Sequence, residues 1–195
     1  PSCREKYIDL KEGKSWQNRE TGRNVLMITN LLKRIESSVY SFRETTDRLY
    51  HLIDNTIDTI NDFEQGRGDR FKMSDILDQV NSLEEDDNDS DYEVGKALKI
   101  KLEDMDYWSW REKLLQDKTI LTELLDLIQM ITPDHDLKLQ ELKEVIANKI
   151  KHPINGNNKK IIIFTAFAET AEYLYYGLKD ELMNEHGLHS AIITG

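Results

Sequence analysis

One long apolar stripe constrains the fold of this chain more than any other feature. Between residues 24 and 63, apolar side chains and one threonine recur at steps of three and four, with arginine, glutamate and aspartate on the opposite side. This period predicts a helix that is continuous or nearly so and about 60 Å long. Because a helix of that length exceeds what a compact core of its own can cover, we expect a protruding arm or brace. The stripe consists of Ile28, Leu32, Ile35, Val39, Phe42, Thr46, Leu49, Ile53, Ile57, Ile60 and Phe63.

Glycine and proline, which interrupt helices, are scarce between residues 24 and 152. The exceptions are Gly66, Gly68, Gly95 and Pro133. We therefore expect further helices at about residues 74–83, over 94–131 in one or two segments, and at 136–150. Their simplest assembly with the long helix is an antiparallel hairpin or bundle, which makes the fold mainly α.

The pattern changes after residue 152. The run Ile161–Phe164 is typical of a buried strand, residues 169–185 have the period of a helix, and Ala191–Thr194 is typical of a second strand. This order predicts one βαβ unit with a parallel, right-handed crossover. Because two parallel strands need neighbours and cover on both faces, we expect a truncated α/β domain. The predicted domains are a loose segment at 1–23, a helical domain at 24–152 and the βαβ unit at 153–195.

Charge is distributed unevenly along the 195 residues, whose net charge is −11. Residues 84–93 hold seven acidic residues and no basic one, a composition typical of a solvated loop. Residues 145–168 hold four lysines and no acid, which allows a phosphate-binding face there. A single cysteine, Cys3, and the lack of an apolar run near the roughly 20 residues of a membrane span predict a cytoplasmic protein with no membrane partner.

No residue is predicted to be catalytic or to bind a metal. The run Gly13-Lys14-Ser15 imitates the end of a phosphate-binding loop, but the first glycine of that loop is replaced by Ile8. The pair His186 and His189 spans a glycine and has no third ligand at a matching spacing. Asp136 stands where a helix begins, so it is expected to cap that helix.

Several segments resemble parts of superfamily-two helicases. The segment 158–174, Asn-Lys-Lys-Ile-Ile-Ile-Phe-Thr-Ala-Phe-Ala-Glu-Thr-Ala-Glu-Tyr-Leu, resembles motif IV, which opens their second RecA-like lobe. Residues 136–142 resemble the helix that precedes this lobe in Swi/Snf-type ATPases, and residues 192–195 the strand that follows. Residues 30–43, Asn-Leu-Leu-Lys-Arg-Ile-Glu-Ser-Ser-Val-Tyr-Ser-Phe-Arg, resemble a helix of bacterial Swi/Snf-like helicases related to HepA.

This resemblance implies a fragment of an ATP-dependent helicase or DNA translocase. The fragment would couple the two motor lobes and supply part of a second lobe that binds nucleic acid, without a complete active site. The parent protein would bind ATP and Mg²⁺, whereas no cofactor is expected in this fragment. The implied partners are nucleic acid, double-stranded DNA above all, and the missing first RecA-like lobe in cis. A non-enzymatic helical scaffold or protein-interaction module is the alternative.

The resemblance also suggests which residues contact nucleic acid. In an open parallel sheet, ligands approach the carboxyl ends of the strands, which the two predicted strands reach at residues 165 and 194. The two lysines at the opposite end of the first strand are expected either to contact the nucleic-acid backbone or to be solubilising charges beside a turn. The predicted nucleic-acid contacts are Thr165, Ala166, Thr194, Gly195, Lys159 and Lys160.

A second group of residues is predicted to couple the lobes. Arg34, Glu36, Ser37 and Ser38 lie in the segment that resembles the family's helix. Two interpretations of their helix face stay open. Either the face is solvated, as faces that carry Arg and Glu often are, or it docks on the first lobe and transmits the nucleotide state to the arm.

Overall fold

The computed structural model describes residues 16–67, 102–154 and 156–194, with side chains from residue 25 onward. This part of the chain is mainly helical, which confirms the coarse fold class. Two short 3₁₀ helices occur at Leu102–Asp104 and Pro133–His135. The α-helices are α1 (Trp16–Ser37), α2 (Val39–Glu64), α3 (Tyr107–Gln129), α4 (Leu137–Lys151) and α5 (Ala168–His186). The phosphate-loop look-alike at 13–15, the helix expected at 74–83, the acidic run at 84–93 and Gly195 lie outside the described residues.

The predicted long helix is interrupted at one residue, Ser38, which separates α1 from α2. The Ser38 side chain accepts a hydrogen bond from the backbone N–H of Ser41 (3.0 Å), as an N-cap residue does at the third position of a helix. The Ser38 N–H still donates to the carbonyl of Arg34 (2.9 Å), and its carbonyl still accepts from Phe42 (3.2 Å). The two helices therefore follow each other with almost no loss of backbone hydrogen bonding.

The buried face around this break differs from the predicted one. Leu32 and Ile35 belong to the apolar stripe, yet their exposed fractions are 59% and 44%. The buried side chains are instead those of Arg34, Ser38 and Ser41. The prediction that the apolar stripe is buried is therefore wrong at this break. The polar side chains can be buried instead because their hydrogen-bond partners offset the cost of burial.

The chain divides into two compact units, of which the first comprises Pro1–Asn30 and Thr45–Leu125. In the described part of this unit, α2 and α3 pack antiparallel. Asp54 contacts Lys118, whereas Asn61, later on α2, contacts Arg111, which is earlier on α3. α2 and α3 therefore form a helical hairpin. The core consists of Ile57, Ile60, Leu102 and Leu114, with Ile53, Phe63, Tyr107, Trp110 and Leu115 packed against it.

The second unit comprises Leu31–Glu44 and Asp126–Gly195. Its core lies between α4 and α5, which approach closely because Gly177 presents no side chain to Leu139. The Asp136 carboxylate caps α4, as predicted, by accepting from the N–H groups of Lys138 and Leu139. The buried core residues are Leu139, Ile146, Ile150 and Leu178. The sequence-based domain boundary between residues 152 and 153 lies inside this unit.

The strands predicted at 161–164 and 191–194 are not formed among the described residues. Both segments lie outside the helices, but neither belongs to a β-ladder, and the bridge that the structure records joins Ile154 to Asn158. The expected burial is also wrong, because Phe164 is 90% and Ile193 94% exposed. Parallel pairing needs further strands, and α5 packs on α4 rather than on a sheet.

Candidate functional site

The candidate site lies within the second unit, where the α1–α2 break meets the start of α5. Its centre is Arg34, which is only 2% exposed. The Arg34 Nη1 atom lies 3.4 Å from Oε1 of Glu169 and donates to the Ser41 hydroxyl at 3.3 Å. The guanidinium group also lies over the Phe167 ring, 4.4 Å from its centroid. A buried cation is therefore balanced by a carboxylate, a hydroxyl and an aromatic face.

A cluster of three hydroxyl groups lies beside this ion pair. The Thr170 hydroxyl is 2.8 Å from that of Ser37 and 2.9 Å from that of Ser38. A hydroxyl can donate one hydrogen bond and accept two, so Thr170 can donate to one serine and accept from the other. Ser38 accepts from the Ser41 N–H at the same time. The cluster therefore ties the helix break directly to the first turn of α5.

Two stacked tyrosines continue the contact along α5. The rings of Tyr40 and Tyr173 are nearly parallel, with centroids 5.4 Å apart, and the Arg43 guanidinium lies over Tyr40. The Tyr173 hydroxyl donates to Oδ2 of Asp136 at 2.9 Å. Burial, followed by the hydrogen bond to Asp136 and its negative charge, raises the pKa of Tyr173 well above the ordinary value. Burial also raises the pKa of Tyr40, with a further contribution from Glu44.

A cavity of about 230 Å³ opens beside the stacked tyrosines. Both carboxylate oxygens of Asp136 already accept hydrogen bonds, one from Tyr173 and the other from the first turn of α4. The cavity therefore offers apolar surface and the Arg43 side chain rather than an available carboxylate. Its lining consists of Val39, Tyr40, Arg43, Ile128, Ile131, Pro133, Asp136 and Tyr173.

The predicted coupling residues are largely brought together at this site. Arg34, Ser37 and Ser38 all contact α5 or the residue before it. Glu36 has an exposed side chain, but its backbone carbonyl accepts a hydrogen bond from the Lys138 ammonium. The face is thus occupied by this chain's own α5, and coupling to a further lobe stays a prediction.

The predicted nucleic-acid contacts that the structure describes lie in the non-helical segments on either side of α5. Thr165 is partly buried, and its hydroxyl donates to the Phe167 carbonyl at 3.0 Å. Because phosphate oxygens only accept hydrogen bonds, Thr165 would have to release Phe167 before it could donate to a phosphate. Ala166 and Thr194 are exposed.

The two predicted lysine contacts, Lys159 and Lys160, are exposed and follow the turn that precedes the run 161–164. Their role as phosphate contacts or as solubilising charges stays a prediction.

Sequence reasoning missed the partners on α5. Glu169, Thr170 and Tyr173 look like ordinary residues of an amphipathic helix. The partners of Glu169 and Thr170 lie 132 to 135 positions away in sequence. No local period signals a pairing over that separation. The signal that would have found these partners is the burial of Arg34, Ser38 and Ser41, and burial cannot be read from the sequence.

No protein-family model, curated protein or solved structure matches the chain. Among the described residues, no three His, Cys, Asp or Glu side chains are grouped as a metal site would require. Nor does any helix in the described ranges have the length and hydropathy to cross a membrane.

Proposed function

We propose that this chain is part of an ATP-dependent helicase or DNA translocase of the superfamily-two, Swi/Snf-like type. In that protein it links the two motor lobes and begins the second. The supporting observation is the junction of the α1–α2 break with α5. The two segments that resemble the family most, residues 30–43 and 158–174, meet there although they are distant in sequence. A shared role accounts for both the resemblance and the contact.

The junction is suited to transmit movement. A buried ion pair, shared hydroxyl groups and stacked rings hold α5 to the helix break by contacts that differ in kind and direction. Because such packed contacts have few alternative arrangements, a shift of α5 moves the helix break with it. Thr165 and Ala166 precede Phe167, the N-cap residue of α5, so nucleic acid bound there acts on the junction. Thr194, Gly195, Lys159 and Lys160 complete the proposed nucleic-acid contacts.

The exposed apolar segments beside α5 support a RecA-like second lobe. Ile162, Phe164 and Ile193 all lie outside the helices with most of their surface exposed. All four apolar residues of the run 161–164 are exposed, and such a run is uncommon on a soluble protein unless another element covers it. In a parallel sheet with additional strands, the run 161–164 would be covered on both faces.

ATP and Mg²⁺ belong to the parent protein in this proposal. The described residues present no grouped carboxylates for Mg²⁺, and we assign no step of hydrolysis to them. The proposed contribution of this chain is structural: the junction holds the segment before α5 at a fixed place relative to the α1–α2 break. A single cysteine in the chain agrees with a cytoplasmic location.

The proposal is tested on the polypeptide encoded by the whole reading frame. We expect this polypeptide to hydrolyse ATP, and we expect duplex DNA to increase the rate of hydrolysis. Ser37→Ala, which removes one hydroxyl from the junction, should reduce the stimulation by DNA while leaving DNA-independent hydrolysis and the circular dichroism spectrum unchanged. Ser109→Ala, at an exposed position, is the matched control. A product that does not hydrolyse ATP with DNA or RNA would contradict the proposal.

One observation favours a protein-interaction module instead. Leu32 and Ile35 form an exposed apolar pair one turn apart on α1. In an interaction module this pair would be covered by another protein. Leu32→Glu would then abolish complex formation in cell extract without affecting any ATPase activity, whereas the motor proposal ties function to the opposite, buried face of α1.

A further inference from the structure

The positive charge of the second unit is concentrated at one end of α4. Lys149 and Lys151 lie in the last turn of this helix, and Lys159 and Lys160 follow the turn after it. Residues 145–168 include no acidic side chain. We name these four lysines the basic cluster.

Backbone geometry brings the two pairs of lysines together. Residues Ile154 and Asn158 form an antiparallel bridge, and Gly156 has a φ of 76°, a left-handed conformation that favours glycine. The Lys149 ammonium reaches across the turn and donates to the Asn158 carbonyl at 3.3 Å. Residues that lie about ten positions apart in sequence therefore share one surface.

Among the described residues of the second unit, no carboxylate pairs with a lysine of the basic cluster. Lys151, Lys159 and Lys160 are exposed, and Lys149 is half-buried. Within the described part of the second unit, carboxylate partners are recorded for Arg34, Arg43 and Lys143. None is recorded there for the four lysines. An anionic partner could thus bind without first displacing an internal ion pair.

We propose that the basic cluster binds the phosphate backbone of duplex nucleic acid without reading its sequence. The residue types support this choice. Lysine ammonium groups act as point charges on phosphates, whereas arginine is the residue that most often reads a guanine edge. Residues 149–163 include no Arg, Phe, Tyr or Trp, which leaves His152 as the one side chain of this surface able to stack on the bases of single strands. The choice of nucleic acid as the polyanion rests on the proposed function.

The binding should be weak and strongly dependent on salt. The net charge of −11 opposes approach of DNA, so we expect binding at low salt and its loss near physiological salt. Each phosphate contact contributes about 0.9 to the slope of log affinity against log salt concentration. Removing three contacts should lower that slope by about 2 to 3 units.

The test measures fluorescence anisotropy of a labelled DNA duplex with the purified chain at several salt concentrations. The variant Lys151→Gln/Lys159→Gln/Lys160→Gln spares Lys149, which holds the turn. We expect it to bind at least about tenfold more weakly at low salt, with the reduced slope given above. The control Lys33→Gln/Arg48→Gln/Lys113→Gln removes three exposed positive charges outside the cluster. It should bind more tightly than the cluster variant.

Three outcomes would overturn the inference. They are equal losses in the two variants, no loss in the cluster variant, and tighter binding of poly-glutamate than of DNA, which would indicate an acidic protein partner. The DNA measurement needs no ATP. If the polypeptide does not hydrolyse ATP but its duplex binding depends on the basic cluster, only the proposed function is contradicted. An ATPase stimulated by DNA in the cluster variant contradicts only this inference.

Discussion

Arg34 and Glu169 form an ion pair across 135 positions of sequence, at 3.4 Å, with both side chains largely withdrawn from water. The pair joins the helix break to the first turn of α5. Glutamate is also favourable there because the N-terminus of a helix carries partial positive charge. The same carboxylate thus stabilises α5 and compensates a buried guanidinium.

Removing one partner of this ion pair should lower the free energy of unfolding. In Glu169→Gln the guanidinium of Arg34 stays buried without its carboxylate, and we expect the free energy of unfolding to fall by about 3 kcal/mol. Urea denaturation followed by circular dichroism measures the change. Glu112→Gln, which alters an exposed carboxylate 3.8 Å from Arg111, should change stability by less than about 0.5 kcal/mol. Equal effects of the two substitutions would mean that Glu169 is exposed in solution.

The two ends of the apolar stripe should respond differently to truncation. Ile60 is fully buried in the first unit, so Ile60→Ala should lower the free energy of unfolding by about 2 to 4 kcal/mol. Leu32 is mostly exposed, and Leu32→Ala should cost less than about 0.5 kcal/mol. Both measurements use urea denaturation. A large loss in Leu32→Ala would show that the stripe is buried from end to end, as its period predicts.

The helices could be predicted from sequence to a useful extent. Residues 136–150 were expected as a helix, and α4 begins at Leu137 after the Asp136 cap. In such a segment, the local period and a capping residue carry most of the information. The break at Ser38 could not be predicted, because serine also occurs inside helices and its capping bond to Ser41 depends on the neighbouring fold.

The site was less predictable than the helices. The burial of Arg34 depends on Glu169 and Thr170, and a hydrophobic period contains no information about such distant polar partners. The strand predictions went wrong for a related reason. A β-branched run such as 161–164 indicates only that the segment suits a strand, whereas a ladder forms only when another segment lies beside it.

The raised pKa of Tyr173 predicts a loss of stability at high pH. Folding favours the protonated hydroxyl, which donates to Asp136, over the phenolate. The stabilisation is complete below the pKa of an unfolded tyrosine, about 10, and is lost as the pH rises above it. Tyr173→Phe should destabilise the chain by about 1 kcal/mol at pH 8 and make stability fall less between pH 9 and about 11. Urea denaturation at several pH values in this range tests the prediction, and Tyr176→Phe, at an exposed position, is the control. Parallel pH profiles of wild type and Tyr173→Phe would exclude this role.

The 195-residue chain by itself should not hydrolyse ATP, with or without DNA. Phosphoryl transfer requires a loop that binds the phosphates, carboxylates that hold Mg²⁺, and a cation beside the transferred group. The sequence lacks the first glycine of the loop that Gly13-Lys14-Ser15 imitates, and it has no arginine after Arg111. Because the loop and the cation each contribute orders of magnitude to the rate, the lack of both should leave phosphate release at the level of buffer.

Phosphate release is measured with saturating ATP and Mg²⁺ and with added single-stranded or duplex DNA. A contaminating ATPase is recognised because its activity does not change with substitutions in this chain. Lys14→Ala is the informative variant, since Lys14 is the one residue placed as a P-loop lysine would be. Turnover that elutes with the protein and disappears in Lys14→Ala would show that residues 13–15 bind a nucleotide, and that the chain contains an active site of its own.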